Sequence, residues 1–186
     1  MNVFISGGCK NGKSHHAQNI AKTMADEKNL PLYYLATMIP KDAEDEARVR
    51  RHIRERAGMG FDTIERGLDI CGCLDGLTSS GLPVDRNGVF LMDSVTALLS
   101  NEMFDNTGAV DLDAPFRVAD QLVHMAQSAG NIVFVSDYIY SDAIIYDSLT
   151  ESYRKGLAHI EKVLAGICDQ VIEVCYGFIK TYKYIY

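Results

Sequence analysis

Short apolar runs alternate along the chain with stretches whose apolar positions recur every three or four residues. Asn2-Val3-Phe4-Ile5-Ser6, Leu32 to Thr37, Val89 to Asp93 and Asn131 to Ser136 have the length and composition of buried strands. Between them, Ala17, Ile20, Ala21 and Met24 fall on one helical face. Phe116, Val118, Ala119, Leu122, Val123 and Ala126 do so within 111–128, and Leu149, Tyr153, Leu157, Ile160, Val163 and Leu164 within 147–167. Ser94 to Met103 also reads as a helix, Leu68 to Leu77 as a weak one, and 79–87 as a loop. Phe61 to Glu65 alternates apolar and polar residues, as a short strand does. Val171 to Cys175 and Phe178 to Lys183 flank Tyr176-Gly177 and predict a terminal hairpin. Strands that alternate with helices predict a single α/β domain over 1–186, with a mostly parallel sheet flanked by helices and a C-terminal β-hairpin. Ligands of such a sheet bind at the carboxyl ends of its strands.

One segment breaks the pattern. Residues 41–56 interleave acidic and basic side chains and hold few apolar ones, which predicts a solvated helix laced with i,i+4 ion pairs such as Glu44 with Arg48. The whole chain is acidic, with a net charge of -7 and a pI of about 5.2, which argues against a nucleic-acid-binding surface. No apolar stretch approaches the roughly 20 residues of a membrane span, and the N-terminal apolar run is too soon interrupted to be a signal peptide. Five cysteines, an odd number, suit reduced thiols and a cytoplasmic location. Cys71-Gly72-Cys73 has no second pair nearby, so it reads more readily as two small helical residues than as half a metal site.

Chemistry enters at Gly7-Gly8-Cys9-Lys10-Asn11-Gly12-Lys13-Ser14, which fits G-x-x-x-x-G-K-[ST] and stands between a strand and a helix. The glycines let backbone N–H groups turn toward a phosphate, and the helix N-terminus adds positive potential. Lys13 would reach the terminal phosphates, and the Ser14 hydroxyl would complete a Mg²⁺ shell. A P-loop NTPase-like (RecA-like) fold that binds a nucleoside triphosphate follows from this setting. Asp93, a carboxylate ending a buried run, has two readings: a Mg²⁺ ligand acting through water, or the N-cap of the next helix. No Asn-Lys-x-Asp stretch is present, so regulatory GTPases are set aside.

Arg48, His52 and Arg56 recur every four residues on the charged segment, one helical turn apart. Between two guanidiniums an imidazole is disfavoured as a cation, and a neutral imidazole is a nucleophile; the alternative is a surface histidine on a charged helix. Together with Tyr34-Leu35-Ala36-Thr37 before it and Phe61, Thr63 and Glu65 after it, this spacing resembles the bifunctional adenosylcobinamide kinase / adenosylcobinamide-phosphate guanylyltransferase family of cobalamin biosynthesis. The resemblance is close over the first half and by element order beyond it.

That resemblance implies two chemistries in one site. A kinase step places the γ-phosphate of ATP or GTP on adenosylcobinamide, using Lys13, Ser14, Asp93 and Mg²⁺. In the second, His52 attacks GTP, pyrophosphate leaves, and GMP passes from a guanylyl-histidine to adenosylcobinamide phosphate. It also implies nucleotide contacts from Thr37, Arg48, Arg56 and Glu65, and a homo-oligomer, commonly a trimer, with the histidine helix near a subunit boundary. The chain departs from the family pattern at several positions. Asp137 to Ala143 replaces an Asn-Glu-Val-Gly-like turn ending in Pro, Ala158 and Glu161 replace a later Gly and Asn, and His15 stands where Arg is common. Tyr138 and Tyr140 in that stretch read as packing aromatics. Two other readings stand beside the bifunctional enzyme: a P-loop small-molecule kinase with an inert His52, and a non-catalytic nucleotide-binding relative.

Overall fold

A computed structural model describes residues 1–104, 107–140 and 142–185, so Ser141 of the divergent stretch lies outside the described residues. The elements are β1 (Asn2–Gly7), α1 (Lys13–Lys28), β2 (Leu32–Ala36), α2 (Ala43–Glu55), β3 (Asp62–Glu65), β4 (Val89–Asp93), α3 (Val95–Met103), α4 (Ala114–Ser128), β5 (Asn131–Asp137), α5 (Ser148–Ile167), β6 (Gln170–Cys175) and β7 (Phe178–Tyr184). Among the described residues the strands form a seven-stranded sheet in the order β3-β2-β4-β5-β1-β6-β7. Neighbours from β3 to β6 run parallel, and β7 returns antiparallel to β6 through the hairpin.

The central strands are apolar on both faces because helices cover both. On one side Val3, Ile5, Leu91, Val133 and Val135 pack against Ala17, Ala21, Met24 and Ala25 of α1. On the other, Phe4, Leu35, Phe90, Met92, Ile132 and Phe134 pack against α3, α4 and α5 through Leu98, Leu99, Val118, Leu122, Met125, Leu157, Ile160 and Leu164. Helix α2 belongs to neither layer, and none of its residues is buried. At the far edge β7 leaves Phe178, Ile179 and Tyr182 largely exposed.

Three expectations shift. The segment from Leu68 to Leu77 forms only a 3₁₀ turn, Ile70–Asp75, entered from a left-handed Asp69 (φ 45) and ended at Gly76. Its glycines, Gly72 and Gly76, do not sustain a longer helix. Helix α4 starts at Ala114 rather than Asp111, because Asp111 closes a turn by accepting from Asp113 N at 2.9 Å and pairing with Arg117. Phe116 is not a core residue: it is 58% exposed and rests against the His159 ring at 5.0 Å.

Candidate active site

Strand register brings the chemistry to one edge of the sheet. Gly7 pairs with Asp137 and with Val174, while Ala36 pairs with Asp93 and with Glu65. The carboxyl ends of β1, β3, β4 and β5 are therefore side by side, where an open α/β sheet places its ligands. A cavity of about 550 Å³ between Pro31, Tyr33, Asp62 and Leu82 lies beside the amino ends of β2 and β3, away from this edge.

The phosphate loop turns through a left-handed Lys10 (φ 59) and Gly12 (φ 88) before α1 begins at Lys13. Gly7 is needed for a different reason. A Cβ there would run into the Val174 carbonyl oxygen and press on the Lys13 side chain. Cys9 is exposed at the loop surface. Lys13 is buried; its Nζ donates to Gly8 O at 3.1 Å and forms an ion pair with Asp137. Asp137 is in turn fixed by its backbone, whose N–H donates to Thr96 Oγ1 at 2.9 Å.

Asp93 stands across from it on β4, hydrogen-bonded to Ser14 and, at 3.3 Å, to the Tyr34 hydroxyl. Burial pushes its carboxyl above the usual carboxylate range, opposed by the Ser14 hydrogen bond, the charge His52 carries when protonated, the Tyr34 hydrogen bond and Lys13. The N-cap reading of Asp93 is displaced by Ser94, whose hydroxyl accepts from Ala97 N. Ser14 and Asp93 are both hard oxygen donors held together, which fits Mg²⁺: that ion takes one or two protein ligands plus substrate phosphates and water.

His52 lies on α2, whose C-cap Arg56 stacks on the Tyr34 ring beside Asp93. The His52 side chain is 26% exposed, and Nδ1 lies 3.3 Å from Glu55 Oε2, within charge contact but off-line for a hydrogen bond. Among the described residues, ion pairs along this helix are Glu46–Arg50 and Arg51–Glu55, in place of the expected Glu44–Arg48, and Glu55 also lies beside His52. The three basic residues do not share one environment. Arg48 is exposed on the helix, whereas Arg56, the C-cap, is 8% exposed. The Arg56 guanidinium lies 3.9 Å from the Tyr34 ring centroid and donates to Thr63 Oγ1 at 3.3 Å. Phe61 meets the same ring edge-on at 6.0 Å. Tyr34 thus gathers Arg56, Phe61 and Asp93, and burial raises its own phenol well above the ordinary range.

Thr37 is fully buried, and its hydroxyl is occupied by the backbone of Ser94, donating to O at 2.7 Å and accepting from N at 2.8 Å. Glu65 is exposed at the end of β3. Sequence reasoning missed Asp137, Tyr34 and Glu55 as members of the site. The available signal for Asp137 was that β5, like β4, ends its apolar run on a carboxylate.

The divergent stretch after β5 is organised by Arg154 of α5, which is buried. Its Nε donates to Ile139 O at 3.1 Å, its other nitrogens pair with Glu151 and Asp142, and its guanidinium lies 4.6 Å from the Tyr146 centroid. Tyr140 has a polar role as well as a packing one: its hydroxyl donates to Glu161. Glu161 is 5% exposed, also accepts from Ser6 Oγ at 3.2 Å, and is pushed up by burial against hydrogen bonds from Tyr140, Ser136 and Ser6.

Residues 3–181 match the family described as cobinamide kinase / cobinamide phosphate guanyltransferase. The chain is 24% identical over 187 residues to the bifunctional adenosylcobalamin biosynthesis protein CobU of Escherichia coli K12, covering 95% of this chain and 97% of that one. It is 25% identical over 175 residues to the bifunctional adenosylcobalamin biosynthesis protein CobP of Pseudomonas aeruginosa PAO1, covering 92% and 91%. Among solved structures, the ATPase domain of G40P matches at a TM-score of 0.52 and 12% identity, covering 92% of this chain and 68% of that one, a likeness of fold alone. Among the described residues no helix is long and apolar enough to cross a membrane.

Proposed function

The chain belongs to the cobinamide kinase / cobinamide phosphate guanyltransferase family, and we propose that it carries out both reactions in cobalamin biosynthesis. It phosphorylates adenosylcobinamide with ATP or GTP and then transfers GMP from GTP to the product, giving adenosylcobinamide-GDP. The observation that carries the reading is that Lys13, Ser14 and Asp93 share the carboxyl edge of the sheet while the histidine helix is anchored to that edge at its end, through Arg56 on the Tyr34 ring whose hydroxyl donates to Asp93.

Lys13 and the loop N–H groups hold and neutralise the phosphates, and Ser14 and Asp93 would hold Mg²⁺. When bound, that ion supplies charge neutralisation on the phosphate oxygens. In guanylyl transfer an imidazole nitrogen of His52 bonds to the α-phosphorus of GTP and the bond to the bridging oxygen breaks, releasing pyrophosphate. Nδ1 is buried on the Glu55 side of the ring, which leaves Nε2 as the nitrogen for attack. Arg48, exposed on α2, is the cation that would meet the nucleotide in that step and exposed Glu65 borders the guanine side, whereas Arg56 and Thr37, both buried and already bonded, hold the wall behind them. A homo-oligomer, a trimer by family resemblance, accords with a helix α2 that buries nothing within one chain.

The test uses GTP labelled at the α-phosphate, with Mg²⁺ and no acceptor. Acid-labile, base-stable label on the protein, absent from His52→Ala, is the expected result. A chain that binds triphosphate yet never labels would reduce the reading to phosphoryl transfer alone.

A further inference from the structure

Two carboxylates stand at the ends of neighbouring strands, and they are committed differently. Asp93 on β4 is tied to Ser14 and to the Tyr34 hydroxyl, the arrangement of a metal ligand. Asp137 on β5 lies between β4 and the loop strand β1, and its carboxylate is bound to the loop lysine itself. The Asp137 side chain is 30% exposed, against 7% for Lys13, so this carboxylate stays reachable from solvent while the lysine is enclosed. We propose that Asp137 takes the proton from the acceptor hydroxyl in the phosphoryl-transfer step. This rests on the kinase half of the function above.

Geometry supports the assignment in three ways. Lys13 belongs at the β- and γ-phosphates once nucleotide is bound, so a group one hydrogen bond from its Nζ borders the phosphate that moves. The Lys13 ammonium has three donors, so it can hold a phosphate oxygen and stay beside Asp137 while the other carboxylate oxygen is left to accept a proton. A free carboxylate beside a phosphate is repelled unless a cation separates the two, and Lys13 is that cation. The backbone is also fixed on both sides of the residue: Asp137 N donates to Thr96 Oγ1, and Tyr138 N donates to Gly7 O at 3.3 Å. The segment that follows, carrying Tyr140, is held by Arg154 and Glu161 of α5, which gives the acceptor side a defined wall.

In the step, the acceptor oxygen forms a bond to the γ-phosphorus. The bond from that phosphorus to the β,γ-bridging oxygen breaks, and its electron pair leaves with the nucleoside diphosphate. The hydroxyl proton passes to an Asp137 carboxylate oxygen. The charged and titratable groups that face Asp137 are Lys13 from α1, and Tyr153 and Glu161 from α5.

The test measures phosphorylation of adenosylcobinamide by ATP with the full chain and Mg²⁺, as kcat against pH. Asp137→Asn should lower kcat by about 10²–10⁴-fold, the range of general acid–base catalysis, and displace the acidic limb of the profile, leaving only the part that Asp93 contributes. Asp137→Glu, which keeps a carboxylate, should restore part of the rate together with that limb. Asp137→Asn with kcat within about threefold of wild type, or with the acidic limb intact, would overturn the assignment. Should Asp137→Asn fail to bind triphosphate, Asp137→Glu decides: a displaced acidic limb supports the base, and an unmoved one overturns it. If the wild-type chain binds ATP and phosphorylates no corrinoid, it is the kinase reading that fails.

Discussion

The two helices that bring chemistry to this site are held in opposite ways. Helix α1 carries Lys13 and Ser14 and buries Ala17, Gln18, Ala21, Met24 and Ala25 against the sheet. Helix α2 carries His52 and buries nothing; its attachments are Asp42 capping Asp45 N, surface ion pairs and the Arg56 clamp on Tyr34. Surface pairs contribute at most about 1 kcal/mol each, so α2 depends on its two ends. The first helix is a fixed cradle for phosphate. In the proposed mechanism the second is a carrier that presents the histidine to it, and a site with two reactions would have reason to fix one helix and leave the other light.

The largest test of this contrast is chemical. Lys13→Ala should lower phosphoryl and guanylyl transfer together by about 10²–10³-fold, because both need the same phosphates neutralised. His52→Ala should separate the two activities, abolishing guanylyl transfer; a parallel loss of both would erase the distinction between cradle and carrier. Assays of each transfer on the same preparations check it.

Stability comes next. Met24→Ala in α1 should cost about 2–5 kcal/mol in denaturant unfolding, since it opens a cavity under the sheet. Ile53→Ala on α2, where the side chain is 48% exposed, should stay within about 0.5 kcal/mol. A large loss at Ile53 would mean that α2 is covered, and its dependence on protein concentration would assign the cover to a second copy. Asp42→Ala should remove about 1 kcal/mol of helix capping, read as faster amide exchange confined to 43–55.

The smallest effect has the opposite sign. Glu161 has a folded pKa raised by burial above its unfolded value of about 4.3. Its contribution to stability is therefore full below that unfolded value and is lost as pH rises through the folded one. Glu161→Gln should make stability less dependent on pH above about 4.3 and raise it at neutral pH, measured as denaturation midpoints across pH. An unchanged slope would count against the buried carboxyl.

Much of this was legible in the residues. The buried strands and α1 announced themselves because strands covered on both faces are continuous apolar runs, and the phosphate loop is local in sequence. Phe116 misled because its position in the helical period put it on the apolar face, while the packing of α4 turned it toward solvent beside His159. Asp137 was hidden for another reason. Its partnership with Lys13 spans 124 positions and is made by the adjacency of β5 and β1, which no local pattern encodes. Glu55 was masked by the spacing of the arginines four residues either side of His52, whereas the contact is with the residue three further on.

Tyr34 is where the cradle and the carrier meet. Its ring bears the guanidinium that ends α2, and its hydroxyl touches the carboxylate that would hold the metal. A phenol ring is rigid, so Tyr34 joins Asp93 and Arg56 through one unit, in contact with the carboxylate at its hydroxyl and with the guanidinium at its face. Linkage then runs both ways: if filling the phosphate loop favours the seated position of the histidine helix, seating that helix tightens the loop's hold on triphosphate by the same factor. Tyr34→Phe, which keeps the ring and removes the hydroxyl, should weaken that mutual dependence while leaving each part in place. Triphosphate affinity across the full cycle of wild type, His52→Ala, Tyr34→Phe and the double variant would measure it as a coupling free energy.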